Sequence, residues 1–140
     1  MTGRGLAVAT AALALVGAGI AAYLTWVHYA ELEPFCVGGG GACERVQSSP
    51  YADLAGVPVA VLGLAGYLAI LASLALPGQA GRSATAFLAL AGLGFSAYLT
   101  YLELAVIDAI CQWCVASAVV MTLLAGVAVT RMVIADMTLR

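Results

Sequence analysis

The sequence predicts an all-α integral membrane protein, built as a bundle of four transmembrane helices. Of its 140 residues, 64% are hydrophobic and only 9% are charged, whereas soluble domains are roughly half apolar and one-quarter charged. Four stretches without charges reach the roughly 20 residues that a helix needs to cross the hydrocarbon layer. Little chain remains for a soluble domain, so we expect residues 1–140 to form one membrane domain whose loops carry its chemistry.

The expected spans cover about residues 5–30, 55–76, 83–104 and 111–132. The first is not a signal peptide, because its apolar character continues through Leu24, Trp26 and Val27, beyond the length of a signal h-region. The large loop at about 31–54 is expected to be exoplasmic. Its Ser-Ser-Pro segment favours a helix start, so we expect a short interfacial helix at about 50–54.

The basic residues predict the orientation of the chain. With four crossings, both termini and the loop between the second and third spans share one side of the membrane. Four of the five basic residues lie on that side, namely Arg4, Arg82, Arg131 and Arg140. The positive-inside rule makes this side cytoplasmic. All four cysteines then face the exoplasmic compartment, where disulfides form and persist.

An internal repeat relates the first and third spans. With a constant offset of 75, residues 17–36 and 92–111 agree at eight of twenty positions, and Cys36 aligns with Cys111. Both spans run outward, so a parallel duplication of a helical hairpin fits the predicted topology. Chance similarity between apolar helices is the alternative.

The four cysteines are Cys36, Cys43, Cys111 and Cys114, and they are the expected centre of the chemistry. Cys111 and Cys114 lie three residues apart at the start of a span, on one helix face and close enough for a disulfide. The helix N-terminus favours a thiolate on Cys111, which makes it the exchangeable sulfur. Cys114 is expected one turn deeper, facing the apolar interior. The glycine run between Cys36 and Cys43 predicts a mobile loop.

The cysteines also allow other interpretations. A zinc site is not expected, because six residues separate the first pair and an exoplasmic location favours oxidation. A non-enzymatic scaffold with structural disulfides in its outer loops stays open. An inward carrier of electrons would need cysteines on the cytoplasmic side, and the predicted topology places none there. His28 and Trp113 are expected in the interfacial belt, and Glu103 counts only as one of several acids near the outer ends of the spans.

The cysteine order resembles that of a known family. A loop pair at Cys36 and Cys43, Ser49 six residues after the second cysteine, the Ser-Ser-Pro-Tyr and Gly-Val-Pro segments and a C-x-x-C at the last span resemble bacterial members of the vitamin K epoxide reductase family. The resemblance covers residues 23–114. Quinone reductases of the DsbB type carry the C-x-x-C in the first outer loop, whereas here it comes second.

The resemblance implies a membrane thiol-disulfide oxidoreductase that supports disulfide formation. A separate thioredoxin-like (DsbA-like) partner would deliver electrons to Cys36, Cys43 would exchange with Cys111, and Cys114 would reduce a quinone of the menaquinone or ubiquinone type. Ser49 would donate a hydrogen bond to a quinone carbonyl. Periplasmic partners have potentials of about −120 mV and are recharged through quinones, so electrons are expected to run from thiols to quinone.

Two differences from the family refine this expectation. Vertebrate members carry a tyrosine four residues after the C-x-x-C, where this chain has Ala118, so we expect quinone reduction and not epoxide reduction. Many bacterial relatives carry a fused thioredoxin-like domain after a fifth span, whereas this sequence stops at Arg140, so the partner is expected to be a separate protein. The expected location is the bacterial cytoplasmic membrane, among lipid and without nucleic acid.

Overall fold

The computed structural model describes residues 3–32, 50, 53–54 and 56–140. Its helices are α1 (Gly3–Tyr29), α2 (Val59–Ser73), α3 (Gly78–Tyr101) and α4 (Gln112–Leu139). Two short strands, β1 (Asp53–Leu54) and β2 (Val57–Pro58), precede α2, and a π-helical segment (Leu102–Ile107) continues α3.

The four helices form a closed bundle in which each packs against two others. The packed pairs are α1 with α2, α2 with α3, α3 with α4, and α4 with α1. The core along the bundle axis contains many alanines, among them Ala14, Ala89 and Ala125, together with the larger Tyr67 and Leu124. Small residues at helix interfaces let apolar helices approach closely, which is how membrane bundles gain van der Waals contact.

Three of the helices are long and apolar enough to cross a membrane. They are α1 with 27 residues, α3 with its π-helical extension at 30 residues, and α4 with 28 residues. The shorter α2 is equally apolar but has 15 residues, Val59–Ser73. Within the described residues the fold is therefore that of an all-α, multi-pass membrane protein, as predicted, but the second helix is shorter than the expected span.

The expectation of an interfacial helix at residues 50–54 is wrong for its last two residues. Asp53 and Leu54 form a strand that pairs antiparallel with β2, with Asp53 opposite Pro58 and Leu54 opposite Val57. Gly56 makes the reversal possible, since its φ of 84° is one that residues with a side chain rarely adopt. Backbone groups that would have bonded along a helix bond across this turn.

The site lies at one end of the bundle, where α1 ends and α4 begins, called here the cysteine end. At the opposite end, α2 and α3 meet in a tight turn in which Gly78 has a φ of 68°. A buried hydrogen bond of 2.6 Å between the Ser73 and Thr85 hydroxyls joins the two helices there. A space between the helices lies nearer the cysteine end.

Candidate functional site

Cys111 and Cys114 lie side by side where α4 begins. Cys111 is the N-cap residue, with extended backbone angles of −92° and 120°, and its carbonyl accepts the first helical hydrogen bond from the Val115 N–H at 3.0 Å. Cys114 therefore lies in the first turn, on the same side of the helix. Cys111 is fully buried and Cys114 half-buried, and their sulfur atoms are in hydrogen-bonding contact. The pair needs little movement to form a disulfide.

Glu103 lies in the π-helical segment that follows α3 and contacts both cysteines. Only 4% of its surface is exposed. Its Oε2 accepts a hydrogen bond from the Cys111 backbone N–H at 3.2 Å, and its carboxyl group also hydrogen-bonds the Cys114 thiol. One carboxyl thus contacts the backbone of one cysteine and the sulfur of the other.

The backbone between Glu103 and Cys111 explains how this acid reaches the pair. Leu102–Ile107 is π-helical, and Asp108 ends it in the left-handed region with a φ of 56°. The Glu103 carbonyl accepts the N–H groups of both Asp108 and Ala109, the second at 3.1 Å. The wider π-helical turns rotate the chain relative to a regular α-helix, which directs Glu103 toward the bundle. Single π-turns of this kind often mark functional sites.

An aromatic contact fixes the start of α4 against α1. The ring centroids of Tyr23 and Trp113 lie 4.8 Å apart at an angle of 45°. Such tilted pairs add about 0.5–1.5 kcal/mol beyond the area they bury. Trp113 also packs against the small apolar cluster around Cys111. The contact therefore helps to hold the start of α4, and with it the cysteine pair, against α1.

A cavity of about 150 Å³ lies next to the cysteine pair and is lined by residues of all four helices. Cys114 and Glu103 form part of its wall, whereas most of the remaining lining is aliphatic. Gly63 and Gly92 also line it, and their lack of side chains leaves room between the helices. The cavity is thus an apolar chamber with one thiol and one carboxyl in its wall.

Two hydroxyl groups meet in the same wall. The Tyr67 hydroxyl lies 3.0 Å from the Ser117 carbonyl, to which it donates, and 2.8 Å from the Ser117 Oγ. Tyr67 is 1% exposed and packs on Gly17, where a Cβ would overlap its ring. Ser117 follows Cys114 by one turn of α4 and also lines the cavity. This pair joins α2 to α4 and places polar hydrogens beside the chamber.

The sequence matches the model of the vitamin K epoxide reductase family over residues 8–129. That range includes all four cysteine positions and most of the 140-residue chain. The chain belongs to this family. It is therefore a membrane oxidoreductase of a family that is generally linked to quinones, and the resemblance inferred from its cysteine order is confirmed.

Within this vitamin K epoxide reductase family protein, the predicted site residues divide into two groups. The structure brings Cys111 and Cys114 together beside the cavity. The positions of Cys36, Cys43 and Ser49 lie outside the described residues, and their roles stay predictions. Ala118, where vertebrate members were expected to differ, lines the cavity. A side chain at this position therefore helps to shape the chamber.

Sequence reasoning missed Glu103, Tyr67 and Ser117. The signal for Glu103 was present, since it is an acid eight residues before Cys111 that directly follows the uncharged stretch 83–102, and ionisable residues within membrane segments usually face the bundle interior. Tyr67 and Ser117 gave no comparable signal, because their contact joins positions 50 residues apart.

Proposed function

We propose that this protein oxidises protein dithiols on the exoplasmic side of a bacterial cytoplasmic membrane and reduces a quinone. In each turnover a partner dithiol becomes a disulfide, and the quinone takes up two electrons and two protons to become a quinol. The observation that carries the proposal is the position of Cys114, which lines a chamber between the helices while Cys111 lies directly beside it.

The chamber fits the ring of a quinone. Its volume of about 150 Å³ is comparable to an engineered apolar cavity of about 150 Å³ that binds benzene. Aliphatic residues supply most of the surface that a flat apolar ring needs, and the Tyr67 and Ser117 hydroxyls and the Glu103 carboxyl are polar groups in the wall. Pockets with few polar groups in an apolar lining are typical of cofactor and ligand sites.

The residues present can perform the thiol half of the reaction. Reduced Cys111 and Cys114 are adjacent, so the loss of two electrons converts two S–H bonds into one S–S bond between neighbouring sulfurs. Cys114 is the sulfur that faces the chamber, which makes it the group that delivers electrons. The resulting Cys111–Cys114 disulfide is then reduced by exchange with another thiol, and Cys111 is the proposed point of attack.

The first pair completes the proposed relay. Cys36 would exchange with a thioredoxin-like partner, and Cys43 would pass the electrons to Cys111. Ser49 would donate a hydrogen bond to the quinone. Support for these roles comes from the cysteine order and from family membership. Membership in a family of oxidoreductases also favours this reaction over a scaffold with purely structural disulfides.

We further propose that all four helices cross the membrane. The uncharged segment around α2 runs from Leu54 to Gly81, so it reaches the roughly 20 residues of a membrane span when the flanking strand and turn are included. Arg82 and Arg131 lie near each other at the end opposite the cysteines, in keeping with a cytoplasmic location of that end.

Turnover in a purified preparation tests this function. Protein in lipid nanodiscs is supplied with dithiothreitol and a short-tailed, water-soluble quinone, and quinol formation is followed by absorbance. We expect catalytic quinol formation well above the rate without protein, and a quinone that can be extracted from material purified from bacterial membranes. If the protein shows no turnover and no quinone can be extracted from it, the proposed function is refuted.

A further inference from the structure

Glu103 is a buried carboxyl for which the proposed relay has no task. It contacts the Cys111 N–H at 3.2 Å and the Cys114 thiol, and it lines the same chamber as Cys114. Among the described residues that line this chamber, Glu103 is the one carboxylic acid. The chemistry that such a group can add is proton transfer.

A purely structural role does not require a carboxyl at this position. Burying an ionisable group in an apolar site is costly unless it is well compensated. The hydrogen-bond partners of Glu103 include a backbone N–H and a thiol. An amide oxygen would accept the backbone N–H equally well. The feature that only a carboxyl supplies is the ability to take up and release a proton.

The reaction needs such a group. Oxidation of Cys111 and Cys114 breaks two S–H bonds, forms one S–S bond, and sends two electrons to the quinone, whose two oxygens each gain one proton. We infer that Glu103 takes the proton from the Cys114 thiol and delivers it to the quinone oxygen in the chamber. The Cys111 proton leaves to solvent, and the second quinone oxygen takes its proton from solvent. Glu103 ends each turnover in its starting protonation state.

The inference rests on the proposed function and deepens it. The proton's donor is in direct contact with the carboxyl, and the acceptor would occupy the cavity whose wall the carboxyl forms. Proton transfer by a positioned side chain typically contributes about 10²–10⁴-fold to a rate. The hydrogen bond to the Cys111 N–H holds the carboxyl in place while it acts.

Glu103→Gln tests the inference, because glutamine keeps an oxygen for the Cys111 N–H but cannot carry a proton. In the nanodisc assay we expect quinol formation to fall by about 100-fold or more. Reduction of the Cys111–Cys114 disulfide by dithiothreitol without quinone, counted by maleimide labelling, should be unchanged. Glu103→Asp, which keeps a carboxyl on a shorter stem, should be at least about tenfold faster than the glutamine variant.

Asp108→Asn is the matched control, since it makes the same acid-to-amide change on the exposed residue that ends the same segment. Asparagine tolerates the left-handed backbone there, and quinol formation should stay within about twofold of wild type. Quinol formation by Glu103→Gln within about threefold of wild type would overturn the inference, and so would an aspartate variant as slow as glutamine. A wild-type protein that forms no quinol would instead refute the proposed function itself.

Discussion

The two helical hairpins, α1 with α2 and α3 with α4, differ most at the cysteine end. In the first hairpin, residues 30–58 separate the two helices, and in the second only residues 108–111 separate the π-helical segment from α4. The short connection is tied by Glu103, whose carbonyl and carboxyl both accept hydrogen bonds from the turn that follows. The second hairpin therefore carries a cysteine pair with a fixed position.

The internal repeat aligns positions of the first hairpin with positions of the second. At the offset of 75 residues, His28 aligns with Glu103, and each precedes its aligned cysteine by eight residues. His28 is half-buried and packs edge-on against Tyr29, with ring centroids 5.3 Å apart. Aligned positions thus carry an imidazole at the rim in one hairpin and a carboxyl inside the bundle in the other. Under the proposed function, the quinone chemistry belongs to the second hairpin, which carries the buried carboxyl.

The cysteines should give the largest effects. Cys111→Ser and Cys114→Ser should each abolish quinol formation with dithiothreitol, by at least about 1,000-fold, because the pair beside the chamber has no substitute among four cysteines. Cys36→Ala should block oxidation of a thioredoxin-like partner but keep quinol formation with dithiothreitol, a small thiol able to reach the second pair directly. Both rates are measured on the same preparations.

The proposed separate roles of the two cysteine pairs would be wrong if Cys36→Ala lost partner oxidation and quinol formation with dithiothreitol to the same extent. Retention of near wild-type quinol formation in Cys114→Ser would contradict the assignment of that sulfur to the chamber. Thermal unfolding of each variant serves as the control for folding, since a serine that replaces a buried cysteine can also lower stability.

Local patterns in the sequence were sufficient for the helices and for the second cysteine pair. Long uncharged stretches predict membrane helices from composition alone, and Cys111 and Cys114 are neighbours because of the geometry of one helical turn. The end of α2 was not predictable in this way. The stretch stays apolar beyond Ser73, whereas the helix ends at this residue, whose hydroxyl is hydrogen-bonded to that of Thr85 on α3.

The wall of the chamber could not be predicted, because it depends on contacts between distant parts of the chain. The position of Glu103 after an uncharged stretch marks it as an acid near the end of a span, but its contact with the Cys111 N–H depends on the π-helical segment and is not visible in the sequence. Tyr67 reaches Ser117 because Gly17 leaves space for its ring. The three residues lie on three different helices, so their spacing in the sequence does not predict this contact. The interfacial helix expected at about 50–54 was wrong at Asp53 and Leu54 for a similar reason, since the pairing across Gly56 depends on one backbone angle.

The aligned glycines of the repeat test how tightly each hairpin packs. Gly17→Ala places a methyl group into the ring of Tyr67, a buried side chain with little room to move, and Gly92→Ala meets only the flexible end of Met121 at 2.7 Å. We expect the first to lower the free energy of unfolding by about 1–3 kcal/mol, as overpacking does. The second should lower it by less than about 1 kcal/mol, because Met121 can change rotamer.

Gly19 and Gly94 are the controls, since they form the neighbouring aligned pair and a Cβ at either would have nothing within 4 Å. Alanine at these positions should be neutral or stabilising by up to about 1 kcal/mol, the helix propensity difference. Unfolding in mixed micelles compares all four variants. Equal losses at Gly17 and Gly92 would show that the two hairpins pack with the same tolerance.

Removing a hydroxyl group from the Tyr67–Ser117 pair, which joins the two hairpins, should lower stability by a smaller amount. Tyr67→Phe removes both hydrogen bonds to Ser117, whereas Ser117→Ala leaves the Tyr67 hydroxyl its 3.0 Å bond to the backbone carbonyl. We expect Tyr67→Phe to cost about 1 kcal/mol of stability and Ser117→Ala less, since a hydrogen bond contributes about 0.5–1.5 kcal/mol net. Thermal unfolding of the two variants gives the order, and a larger loss for Ser117→Ala would be inconsistent with this geometry.

His28→Gln is the smallest expected change and the most direct test of the comparison, because it places the same amide at the position aligned with Glu103. His28 makes an edge-on contact with the Tyr29 ring at a half-buried rim position, and losing it should cost about 0.5 kcal/mol of stability, the low end for such ring pairs. Quinol formation with dithiothreitol should change by less than about threefold, against the loss of about 100-fold expected for Glu103→Gln. The two variants are assayed side by side in nanodiscs, with the thioredoxin-like partner as a second electron donor. A loss of tenfold or more in His28→Gln with dithiothreitol would mean that the first hairpin also supplies a titrating group to quinone chemistry, and the division between the halves would have to be abandoned.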